Sequence, residues 1–177
     1  MNFAFLKNPI VRFLVTFGFF YLTWFLIYEL LIHPWGRLDS SVINNSIFFS
    51  SHLLELFGYT VFTSHSETMR TLGIDGTHGL WIGDPCNGIA LFSLFTFFII
   101  AYRGNWKKKM WYIPVGILSI HFMNIIRITA LCIIVYKKPE WLEFNHTYLF
   151  QILMYLFIFL LWIIWVKKFS SQKTSPE

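Results

Sequence analysis

The feature that most constrains this chain is the length of its apolar blocks. A helix needs about 20 mainly apolar residues to cross the roughly 30 Å hydrocarbon core of a bilayer. In that core every backbone polar group must be satisfied within the segment. Residues 10–32 (IVRFLVTFGFFYLTWFLIYELLI), 110–136 and 147–166 meet that length. Residues 87–102 (NGIALFSLFTFFIIAY) fall short and are expected to borrow from about Leu80 onward. The blocks are solid rather than one-sided. Only 13% of the chain is charged, where soluble domains carry about 25%. The lipid bilayer is thus the first partner the chain implies. Block 10–32 exceeds the apolar region of a signal peptide and lacks an A-x-A cleavage site, so it is read as a retained anchor.

Charge sets the direction of crossing. With the N-terminus in the cytoplasm, Lys7, Arg12, Arg103, Lys107, Lys108, Lys109, Lys167, Lys168 and Lys173 all fall inside, nine of the fourteen basic residues. Arg37, Arg70, Lys137 and Lys138 fall outside, together with Asp39, Glu55, Glu67, Asp75, Asp84, Glu140 and Glu143. The positive-inside rule therefore favours both termini in the cytoplasm. Residues 42–63 (VINNSIFFSSHLLELFGYTVFT) carry Asn44, Asn45, Ser50, Ser51, His52 and Glu55, too many polar groups for a lipid-facing span. If they crossed, the N-terminal cations and the RGNWKKK loop would sit on opposite faces. An amphipathic or re-entrant helix at the outer face is expected instead. The fold class is therefore all-α: a polytopic membrane helical bundle of about four transmembrane helices plus that segment. It forms one integral-membrane domain, with an N-terminal anchor at 1–36, an outer-face segment at 37–79, a helical core at 80–166 and a cytoplasmic tail at 167–177.

The net charge of +5 does not indicate nucleic acid. The cations cluster at the ends of apolar blocks, and no RNA-binding motif or basic–aromatic interleaving occurs. Cys86 and Cys132 form no CxxC, so neither a thioredoxin-type motif nor a cysteine-based zinc site is supported, and no metal or organic cofactor is expected.

Three groups are expected at similar depth near the outer face. Cys86 stands at the outer start of the second span, in GDPCNGIALFSLF, and His146 at the outer start of the last, in EFNHTY. Arg127 lies about 26 Å along the third span at 1.5 Å per residue. Arginine inside a span costs about 2.5–3.5 kcal/mol on insertion scales and normally faces a partner or a polar cavity. With His121 and Asn124 it forms a polar stripe on one helical face in HFMNIIR. It could equally snorkel outward or pair with Glu29. Cys86 at a helix start has an environment that lowers a thiol pKa, although a disulfide with Cys132 is an open alternative. His78, in DGTHGLW, rivals His146 for any acid–base role, and spacing does not choose between them.

PCNGIALF, NIIRITAL and a histidine before the last span, in that order, resemble the three signature blocks of the exosortase/archaeosortase family, and most of all its short bacterial members. The match covers roughly residues 75–166. The resemblance implies a membrane cysteine transpeptidase with Cys86 as nucleophile and Arg127 and His146 as the other catalytic residues. Asn124, Asn87, Gly88 and His78 would support the site or bind substrate. This chain reads Cys-Asn-Gly where many members read Cys-Ser-Gly, and some members carry arginine at the position of His146. The substrates implied are secreted proteins with a C-terminal sorting signal: a short motif, a transmembrane helix and a basic tail. Cleavage would pass through a thioester at the outer face of the bacterial cytoplasmic (inner) membrane, with a small membrane protein as a further partner. The competing class is a non-catalytic polytopic membrane protein, a transporter subunit or an envelope assembly factor, with Arg127 in helix packing or an ion path. A thiol oxidoreductase is weakened by the missing cysteine pair.

Overall fold

The computed structural model describes residues 8–65 and 70–170. Lys7, Glu67 and Lys173, which entered the charge count, and the side chain of His65 lie outside the described residues. Helix α1 (Pro9–Trp35) begins where Asn8 accepts a hydrogen bond from the Ile10 amide at 2.9 Å. Pro9 fills the first helical turn, where its missing N–H costs nothing. The helix widens by one π-type turn at Tyr28–Ile32 and stops at Gly36, which sits in the left-handed region at φ +65°. Helix α2 (Arg37–Leu56) follows at once.

Three short strands come next, β1 (Val61–His65), β2 (Arg70–Ile74) and β3 (Leu80–Trp81). They pair antiparallel in the order β1-β2-β3, with Val61 opposite Ile74 and Leu72 opposite Leu80. A 3₁₀ turn at Asp84–Cys86 leads into α3 (Ile89–Ala101). Helices α4 (Trp106–Lys137) and α5 (Pro139–Phe169) complete the chain.

Among the described residues, α1, α4 and α5 are long and apolar enough to cross a membrane, and α3 is a shorter apolar helix. The chain is thus a multi-pass helical membrane bundle carrying a small sheet. Two expected boundaries change. Residues 80–88 do not lengthen α3, because Leu80–Trp81 pair as a strand and Gly83, Pro85 and Gly88 interrupt helical geometry before Ile89. Helix α2 ends at Leu56 rather than continuing to 63, since Gly58 turns the chain at φ +85° and Val61 enters β1.

Helix α4 organises the bundle. Its 32 residues span about 48 Å at 1.5 Å per residue, well beyond a hydrocarbon core of about 30 Å. One half packs against α3 and α5 through Phe95, Ile99, Tyr112, Ile120, Met154, Ile158 and Trp165. The other half is sheathed by α2 and the sheet. There Ile43, Ile47, Leu54, Leu72, Ile74 and Ile82 enclose Ile128 and Cys132. Two polar contacts pin α2 to α4: Ser50 Oγ donates to the Ile125 carbonyl at 3.3 Å, and His121 Nε2 pairs with Asn45 Oδ1 at 2.6 Å. The α3–α4 corner is closed by Lys109, a buried ammonium that donates to the Ile100 and Tyr102 carbonyls at 2.7 and 2.6 Å. A cation here satisfies carbonyls that the end of α3 leaves open and complements the helix dipole.

Gly116 lets α4 approach α3 closely. A Cβ there would lie 2.2 Å from the ring of Phe95, a side chain with no exposed surface. Overpacking of this kind costs about 1–3 kcal/mol. Gly116→Ala is therefore expected to lower the thermal midpoint of the detergent-purified protein by several degrees. Adding Phe95→Leu should recover most of that loss, as read by intrinsic-fluorescence melting. An unchanged midpoint in the single variant would show that the interface is looser than this packing implies.

Candidate active site

The site lies between the two packed clusters. The 3₁₀ turn Asp84–Cys86 is held at three points. Arg70, on β2, donates to Asp84 Oδ1 at 2.7 Å and to Ser40 Oγ of α2 at 2.8 Å, so one guanidinium joins sheet, turn and helix. The Asn124 side chain of α4, with no exposed surface, donates to the Cys86 carbonyl at 2.9 Å. Asn87 accepts from the Ile89 amide at 2.8 Å, which satisfies one open donor at the start of α3, while its NH₂ donates to the buried Asp39. The Tyr28 hydroxyl of α1 donates to the same Asp39 oxygen, and His33 Nδ1 lies 3.5 Å from the other. Gly88 stands at φ +81°, and a Cβ there would meet the Phe92 ring at 3.3 Å. The backbone thus turns sharply and closely between the cysteine and α3.

Cys86 and His146, 60 positions apart, meet here, with Sγ and Nε2 separated by 3.3 Å. His146 is carried by the π-type turn Asn145–Leu149 at the head of α5. Arg127 lines the same cavity, about 600 Å³, with Tyr28, Glu29, Gln151 and Tyr155. Its Nε is buried without a hydrogen-bond partner, and among the described residues it forms no ion pair with Glu29 or any other carboxylate. A guanidinium with unspent donors beside a polar cavity is placed to receive negative charge there. Burial pushes the Cys86 thiol up from its ordinary range, and the Arg127 charge and the Gly83 backbone pull it part of the way down. Burial thus opposes the lowering that a helix start alone suggests.

The remaining candidates separate cleanly. Asn124, Asn87 and Gly88 belong to the frame of the turn. His78 is exposed on the β2–β3 turn and does not line the cavity. His121, on the polar stripe of α4, faces Asn45 instead. Both cysteines are free; Cys132 is buried against the sheet, its thiol directed to the Leu72 carbonyl at 3.7 Å. Among the described residues, no group of three or more His, Cys, Asp or Glu is arranged to hold a metal ion. Tyr28, Asp39 and Arg70 position the turn and were not singled out from the sequence. Asp39 reads there as one more acid outside the membrane, and nothing local signals that it is buried.

No curated protein and no solved structure matches the chain. The profile of the transmembrane exosortases (Exosortase_EpsH) matches residues 10–166, which takes in the anchor helix, the α2–sheet cap and the whole site. With a match over most of its length, and with the ordered cysteine, arginine and histidine blocks meeting at one cavity, the chain belongs to the transmembrane exosortase family.

Proposed function

We propose that this protein is a membrane cysteine transpeptidase or peptidase. It would cleave the C-terminal sorting signal of secreted proteins at the outer face of a bacterial cytoplasmic membrane. The observation that carries this is the 3.3 Å approach of Cys86 Sγ to His146 Nε2 beside Arg127, in a cavity lined by α1, α3, α4 and α5. A nucleophile within hydrogen-bond reach of its base, next to a fixed positive charge, is the arrangement acyl transfer requires.

The steps are written from the thiol form of Cys86. As Sγ attacks the scissile carbonyl carbon, the thiol proton passes to His146 Nε2, and the carbonyl electron pair moves onto oxygen. Arg127 offsets that charge, in a setting where little water competes. Collapse breaks the C–N bond while His146 returns the proton to the leaving amine, and a thioester to Cys86 remains. An acceptor amine, hydroxyl or water then attacks the thioester, gives its proton to His146 and displaces the sulfur, which recovers the proton. The substrate is a protein whose motif precedes a transmembrane helix and a basic tail. That helix would present its outer end at the level of Cys86. A small membrane protein could assist its delivery.

Co-expression with a candidate tailed substrate tests this. Cys86→Ala is expected to abolish processing. Arg127→Gln should slow it on the order of 10²-fold or more, and His146→Ala on the order of 10²- to 10⁴-fold. Each variant should still elute as the native species. Processing at the native rate by Cys86→Ala would end the transpeptidase assignment and favour a non-catalytic envelope protein.

The thiol titration has a definite sign. Arg127 favours the thiolate, so its removal should move Cys86 further up from its ordinary pKa. Alkylation by iodoacetamide in the Cys132→Ser background should therefore rise with pH in both proteins. In Arg127→Gln the profile should lie at higher pH, with the rate at a fixed pH below the transition lower by about tenfold for each unit of displacement. Superimposable profiles would remove Arg127 from any electrostatic role at the sulfur.

A further inference from the structure

The end of the bundle opposite Cys86 holds two connected cavities that the proposed chemistry does not use. The larger, about 820 Å³, is lined by Arg12 from the first turn of α1, Arg103 and Asn105 from the α3–α4 corner, and Lys108 from the start of α4. No carboxylate lines it, and among the described residues none of these three cations forms an ion pair. Lys108 is satisfied only from one side, its ammonium 6.0 Å from the centre of the Phe169 ring. All three cations are exposed, so solvent screens their repulsion, and the space they share is open to an anion that would offset their like charge.

The smaller cavity, about 360 Å³, shares Arg12, Tyr102 and Arg103 and runs on between α1 and the end of α3. There its walls are mostly apolar, formed by Pro9, Ile10, Phe13 and Ala101 with the hydroxyl residue Thr16. A cationic chamber that opens into an apolar slot between two membrane helices is shaped for an amphiphile. We propose that it binds one anionic phospholipid, with the phosphate among Arg12, Arg103 and Lys108 and part of an acyl chain along Phe13 and Ala101.

Free phosphate would have no use for the slot. A basic peptide tail would be repelled by the chamber. A zwitterionic headgroup would bring its own cation against the arginines. Membrane orientation by itself asks only for cations somewhere in this face's loops. It does not ask that an arginine of α1 and one of the α3–α4 corner converge on one cavity, which is how basic pockets between membrane helices select anionic headgroups.

The test uses the full-length protein in detergent, titrated with phosphatidylglycerol, phosphatidylcholine or inorganic phosphate, with thermal unfolding and native mass spectrometry as readouts. Phosphatidylglycerol should raise the melting midpoint saturably by several degrees and remain bound at one copy per chain. The other two probes should do neither. Arg12→Gln/Arg103→Gln should lose both effects. Lys107→Gln/Lys168→Gln, which removes the same charge from exposed lysines outside the cavities, should keep them. Equal stabilisation by phosphatidylcholine would overturn the proposal, as would reproduction of the shift by phosphate, or equal loss in the two double variants. The comparison among probes on the native protein stands even if a variant fails to fold, and no readout depends on peptidase activity.

Discussion

The interaction on which the rest of the architecture turns is the buried carboxyl group of Asp39. It sits at the start of α2, almost wholly shielded, and receives the Tyr28 hydroxyl from α1 and the Asn87 amide from the turn before α3. A buried carboxyl is costly unless it is hydrogen-bonded; Tyr28 and Asn87 both bond Oδ1, while Oδ2 has only His33 Nδ1 near it at 3.5 Å, so three elements must converge to place the group. Asn87 is adjacent to Cys86 and also accepts from the first amide of α3. The position of the thiol therefore depends on a contact that does not touch it.

That junction also accounts for the division of labour along α4. A helix too long for the bilayer would expose apolar surface at one end, and α2 with the sheet covers that surface. The same covering brings Ser40, Arg70 and Asp84 into one hydrogen-bonded chain over the site. Beneath it, Asn124 fixes the Cys86 carbonyl while Arg127, three residues further along α4, enters the cavity. The seam between the α2–sheet cap and the apolar helices is where a thiol, an imidazole and a guanidinium line one cavity.

Much of the helical scaffold was legible because lipid imposes a length and a composition that few other environments require. The spans containing Ile10, Met110 and Thr147 could be read directly. Cys86, Arg127 and His146 stood out because each is an uncommon residue at its place: a thiol at a polar turn, a cation inside a span, an imidazole at a helix entry. The β strands were not legible. Val61 and Phe62 continue the apolar run of α2, and only the Gly76 and Gly79 turn marks a hairpin. Asp39 and Arg70 were equally silent, since their importance lies in partners 48 and 14 positions away, Asn87 and Asp84.

By itself, then, the sequence determined that the chain lives in a membrane, which of its apolar blocks are long enough to cross, and which three residues stand at chemically unusual places. Those are properties of composition and order along one dimension. Only the tertiary structure decided that His146 rather than His78 stands beside the thiol, that Arg127, among the described residues, lines the cavity without pairing with Glu29, and that burial raises the Cys86 thiol from its ordinary range. Each of these depends on distances between helices and on water removed by packing, and both are set by how α1, α2 and α5 close around α3 and α4.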